Sequence, residues 1–163
     1  MTSYFFILLV LFTFAHAQNL INIDVPKPNE MIYNKELLNM TFTVIGSQTV
    51  SPAVSDYYPS SLIADFVWTE RANTANVLSF NIASGLNTSP YPGGTQSIQR
   101  KESWRVPDCH FFSRYSPTAY DFSIVFTPVY PVATETSPAT GIAQDKIVIP
   151  LSITVDNSTF PKC

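Results

Sequence analysis

A two-residue hydrophobic period, recurring in five separate stretches, limits what this chain can fold into more than any other feature. Leu38, Met40, Phe42 and Val44 alternate with Asn39, Thr41 and Thr43. Leu62, Ala64, Phe66 and Trp68 make a second such row, and Leu78, Phe80 and Ile82 a third. Tyr120, Phe122, Ile124 and Phe126 make a fourth; Ile147, Ile149, Leu151, Ile153 and Val155 make a fifth. Strand side chains alternate between faces, so each row predicts a strand with one apolar and one wet side. Leu20 to Asp24 reads as an opening strand ended by Pro26 and Pro28, and Ser103 to Val106 as a short one. Thirteen prolines against five glycines leave little room for long helices. Pro150 has no amide to donate, so the last strand is expected to be an edge there or to bulge. About seven short strands at this spacing predict an all-β fold, an antiparallel β-sandwich of immunoglobulin or fibronectin type III form.

The first seventeen residues set the expected compartment. Phe5 to Ala15 is an apolar run of signal-peptide length, too short to span a bilayer, and Ala15 and Ala17 offer small residues at the cleavage positions. The expected organisation is a signal peptide over 1–17 and a single immunoglobulin-like domain over 18–163, beginning at Gln18. No later segment is apolar enough to be a membrane span, and the C-terminal stretch lacks a lipid-anchor tail. The product is expected to be secreted, extracellular or cell-wall associated.

The remaining composition fits that setting. The two cysteines, Cys109 and Cys163, are expected to form one disulfide, worth about 4 kcal/mol in the chain-entropy model. Asn39-Met40-Thr41, Asn87-Thr88-Ser89 and Asn157-Ser158-Thr159 are N-glycosylation sequons, which place glycans at Asn39, Asn87 and Asn157. A formal net charge of −3 argues against a nucleic-acid partner. Arg100, Lys101, Arg105 and Arg114 are diluted by Glu102 and Asp108 and read as a solvated face.

Catalytic signals are sparse. There is no Gly-x-Ser-x-Gly elbow, no phosphate- or dinucleotide-binding glycine loop and no carboxylate pair at a telling spacing, so no enzyme activity and no cofactor are expected. His110 is the one histidine after the signal segment. A cut after Ala15 would make His16 the N-terminal residue, and its amine and imidazole with the His110 imidazole would suit Cu(II). That set resembles the copper brace of lytic polysaccharide monooxygenases. Binding has a separate candidate in the Ser/Thr/Pro-rich connections over 47–61, 84–97 and 128–143. Tyr58, Tyr91 and Tyr130 lie there, each directly before proline, and exposed tyrosines stack on sugars or contact proteins.

The run Ile21 to Phe42, then Glu102-Ser103-Trp104-Arg105-Val106-Pro107 and Tyr120 to Phe126, resembles fungal secreted Ser/Thr-rich cell-wall proteins. These carry the immunoglobulin-like domain related to yeast β-1,6-glucan assembly proteins. The chain departs from that pattern at Asn29 and Asn34, where glycines are usual, and at Phe42, where tryptophan is usual. The resemblance implies a sandwich fold and a cell-surface setting, and it transfers no catalytic residue. The leading expectation is a non-catalytic secreted glycoprotein that binds cell-wall glycan or an extracellular protein at the fungal wall or matrix. The alternatives are the copper protein described above and a secreted effector or inhibitor acting on host proteins.

Overall fold

The computed structural model describes residues 19–47, 49, 58–88, 94–132, 143–156 and 158. Among these, β1 (Ile21–Val25), β3 (Leu37–Val44) and β6 (Ile98–Arg105) form one sheet. β2 (Glu30–Tyr33), β4 (Ser61–Glu70), β5 (Val77–Asn87), β7 (Tyr120–Val129) and β8 (Ile147–Thr154) form the other. The sheet orders are β1-β3-β6 and β2-β8-β7-β4-β5, and one short helix, α1 (Cys109–Arg114), precedes β7. This is an all-β sandwich with the strand order of an immunoglobulin domain, extended at one edge by β5.

Two expectations need correction at the strands. The pairing is not wholly antiparallel, because β2 runs parallel to β8, with Glu30 opposite Leu151 and Tyr33 opposite Thr154. The chain leaves β1 through the cis Val25–Pro26 bond and Asn29, at φ +61°, and continues in the same direction beside the last strand. Asparagine tolerates that left-handed conformation better than most residues. Pro150 is also not on an edge strand, since β8 lies between β2 and β7. It sits where the β2 ladder stops, and its carbonyl accepts the Asn29 amide at 2.7 Å.

The inward rows behave as the periodicity predicts where both sheets are present. Leu62, Ala64, Phe66 and Trp68 are buried, as are Phe122, Ile124 and Phe126, and Leu38, Met40, Phe42 and Val44 opposite them. Leu78, Phe80 and Ile82 are only partly buried, because five strands face three and β5 overhangs. Trp104 of β6 reaches across the sandwich to cover part of that overhang, its ring 5.1 Å from Phe66 and 6.2 Å from Phe80. Thr41, expected to face solvent, is 8% exposed. Its short side chain lies on the middle strand of its sheet, flanked by Val25 and Lys101.

β6 starts at Ile98, five residues earlier than the sequence pattern suggests. Arg100 and Glu102 stand opposite Phe42 and Met40, on the core side of the sheet, and so break the apolar alternation. Inward-pointing charges on a free edge discourage pairing with another strand.

Gly46, just beyond β3, is required by close approach. A Cβ there would stand 2.5 Å from the Gln96 carbonyl oxygen and 2.7 Å from that of Gly94. Gly46→Ala should therefore cost about 1–3 kcal/mol in denaturant unfolding. An unchanged midpoint would mean that the 94–97 backbone yields without cost.

Candidate functional site

At one end of the sandwich the loop tyrosines serve the fold. Tyr58 is 2% exposed and belongs to the core, which corrects its expected role as an exposed stacking ring. A ring without a free face has nothing to offer a sugar. The Tyr130 hydroxyl accepts the Gln144 backbone N–H at 2.7 Å. The Gln144 side chain then works as a piece of strand. Its Oε1 accepts Leu20 and Ile21 N–H groups at 2.8 and 2.9 Å, and its Nε2 donates to the Ile21 carbonyl at 2.8 Å. Tyr91 lies outside the described residues. Burial, and secondarily the neighbouring Tyr130, push the Tyr58 hydroxyl up to about 12.

At the other end α1 plugs the sandwich. Asp108 caps it, Oδ1 accepting the His110 and Phe111 amides at 3.1 and 3.2 Å. Phe112 is buried, and Phe111 and Tyr115 pack on Trp68 with ring centroids 5.1 and 5.0 Å away. Cys109 opens the helix, buried and disulfide-bonded. The sequence contains one other cysteine, Cys163, which lies outside the described residues. His110 points from α1 into solvent. Its prospective copper partner, His16, lies outside the described residues, among which no group of three or more His, Cys, Asp or Glu side chains could hold a metal.

The two outer sheet faces differ in character. On the three-stranded sheet, Asp24 Oδ2 accepts the Thr43 hydroxyl at 2.6 Å and the Gln99 amide at 3.2 Å. Nearby, the Ser103 hydroxyl donates to Asn39 Oδ1 at 2.8 Å. This face is a polar ladder, and the exposed Asn39 sequon stands on it. Asn87 is exposed at the end of β5, whereas Asn157 lies outside the described residues. The five-stranded sheet instead shows apolar side chains at its outward positions. Register places Val67 beside Ser123 and Pro150, and Val125 beside Val148, with Met31 beside Ser152 on the next strand. Met31, Tyr33 and Val148 are 58%, 46% and 56% exposed.

No protein-family model, curated protein or solved structure matches the chain.

The strongest described surface is this outer face, where Val125 and Val148 are neighbours, Val67 lies one strand over beside Ser123, and Met31 and Tyr33 stand at the β2 edge beyond Pro150 and Ser152. The loop reading overlooked it, although its signal was present in the sequence. Val67, Val125 and Val148 occupy positions that alternation assigns to the wet side of their strands. A groove of about 440 Å³ also opens between β5 and β6, lined by Phe42, Ile82, Asn87, Arg100, Lys101 and Glu102 among others. Among the described residues no helix is long and apolar enough to cross a membrane.

Two outcomes test the tyrosine end. The raised Tyr58 hydroxyl favours the neutral phenol in the fold, so its stabilising contribution is whole below pH 10.0 and is lost as pH rises towards about 12. Tyr58→Phe should flatten the fall in stability over that interval, and a tyrosinate absorbance difference against wild type should titrate near the upper end. A difference midpoint at 10.0 would contradict the burial argument. Gln144→Ala strips partners from three buried backbone groups and should cost about 3 kcal/mol or more in urea unfolding.

Proposed function

We propose that this chain is a non-catalytic secreted glycoprotein that binds another protein at a cell wall or extracellular matrix. The contact surface is the outer face of its five-stranded sheet. The observation that carries the reading is the set of apolar side chains at outward positions of this sheet, with Met31, Tyr33 and Val148 exposed and Val67 and Val125 half-buried. Contiguous apolar surface on a folded domain marks contact with other proteins more often than isolated exposed side chains do. Valine, proline and serine side chains on a pleated sheet present a shallow, low-entropy surface suited to a flat protein partner.

A protein partner fits these residues better than a glycan. Sugar recognition calls for rigid aromatic faces ringed by polar groups. Of the tyrosines first expected to supply them, Tyr58 is buried and the Tyr130 hydroxyl is held by Gln144. Tyr33 is exposed, but its hydroxyl donates to Met31 Sδ at 3.4 Å, which joins it to the apolar stripe. The polar ladder around Asn39 lies on the opposite sheet, so a glycan there would leave this apolar face open. The secretory setting rests on the signal-like leader and the three sequons.

The test is retention of purified protein on intact wall or matrix material, comparing wild type with Val148→Lys and Val67→Lys. Both positions are outward on their strands, so both variants should keep the wild-type thermal midpoint. Each should weaken retention about tenfold or more, the loss of one good apolar contact. Prior protease treatment of the material should also abolish retention. Retention that survives both substitutions, or that glycosidase removes and protease does not, overturns the reading.

A further inference from the structure

Among the described residues the sandwich has four edges, and three carry their own defence against pairing with a stray strand. β1 is five residues long and its register breaks between Ile23 and Val25. β2 is four residues long and begins with Glu30. β6 carries Arg100, Lys101, Glu102 and Arg105, two of them turned inward. Shortness, irregularity and charge are the usual devices for this purpose.

β5 is neither short nor charged, and its first half is regular as well. It is the last strand of its sheet, eleven residues long, and holds no charged residue and no proline. Register shifts against β4 and a left-handed Gly85, at φ +68°, disturb its second half. The stretch Val77 to Asn81 pairs regularly with β4, and no described strand pairs with its opposite side. A long, uncharged edge is a template for edge-to-edge association. What β5 does carry is a sequon at its end, with Asn87 exposed and on the rim of the groove facing Arg100 and Lys101. Thr88, the middle residue of that sequon, is fully buried and its hydroxyl donates to the Pro59 carbonyl, which holds the attachment point against the body of the domain.

We propose that an N-linked oligosaccharide at Asn87 is the edge protection of β5. The bond formed joins Asn87 Nδ2 to the anomeric carbon of the sugar. The bond broken joins that carbon to a lipid pyrophosphate, which leaves as the amide gives up one proton. In an antiparallel self-pair centred on Asn81, position 87 of one copy faces position 75 of the other, in the turn before β5. The bulky, hydrated glycan of each copy would collide with the other at both ends of the pair. A neutral strand needs such a barrier more than a charged one, because no like-charge repulsion opposes its self-pairing.

This inference rests on the secretory reading above, and one experiment separates the two. Wild type, Asn39→Gln, Asn87→Gln and Asn87→Gln/Ser79→Lys are secreted from a eukaryotic host, weighed by intact mass and compared by sedimentation over a range of concentrations. Wild type and Asn39→Gln should stay monomeric, Asn87→Gln should associate at least about tenfold more strongly, and the added lysine on the free edge should reverse this. If Asn87→Gln fails to leave the cell, endoglycosidase treatment of folded Asn39→Gln/Asn157→Gln protein makes the same comparison. Association that ignores Ser79→Lys, or a glycan-free Asn87 form that remains monomeric, overturns the proposal. No glycan at Asn87 beside one at Asn39 or Asn157 overturns it alone, and a wild-type chain that keeps its leader and carries a glycan at none of the three sequons overturns the secretory reading.

Discussion

Five strands facing three is the constraint from which most of this structure follows. A sheet buries its apolar side only where another layer covers it, and the smaller sheet cannot cover all of the larger one. The uncovered part falls at β5. Its inward residues Leu78, Phe80 and Ile82 are therefore half-buried, although their alternation is as regular as that of the fully buried rows. The mismatch also opens the groove between β5 and β6, where Arg100 and Glu102 can face inward without losing contact with water.

Large aromatic side chains make up much of the shortfall. Phe66 lies within 6.1 Å, centroid to centroid, of Trp68, Phe80, Trp104, Phe111 and Phe122, so one ring ties together both sheets and α1. Trp68 Nε1 is buried with no nitrogen or oxygen partner among the described residues, and Phe111 packs nearly perpendicular to the indole, at 81°, one of the favoured aromatic arrangements. Asp108 matters to this arrangement because it caps the single turn and a half that presents Phe111 and Phe112 to the core.

The fold was legible in the sequence because a strand buried on one side writes its geometry directly into alternation. The rows at 62–68 and 122–126 required nothing beyond that period. β6 was only half legible, since Arg100 and Glu102 occupy inward positions for the sake of the edge rather than the core. β2 was missed because four residues cannot display a period and its partner is at the far end of the chain. The candidate site was much less legible. Proline-linked tyrosines look alike in sequence whether they cap a core or face a ligand, and only burial showed that Tyr58 does the former. Gln144 carried no signal at all, because its role depends on Leu20 and Ile21 lying 124 and 123 residues away.

The division of labour between the two outer faces gives the molecule an orientation. The ladder joining Asp24, Thr43 and Gln99 spends its polar groups on one another across three strands and is stable when wet. On the other sheet the outward valines have no such partners and gain only by losing water. Between these faces, brevity, irregularity or inward charge blunts three of the described edges, and the glycan proposed at Asn87 would protect the fourth. A partner approaching the five-stranded sheet would then meet its outer apolar side chains face-on rather than add a strand. Contact of that kind relies on side chains at alternate positions of β8, β7 and β4. Its specificity would therefore respond to a valine-to-lysine change on the face and be indifferent to backbone pairing at the edges.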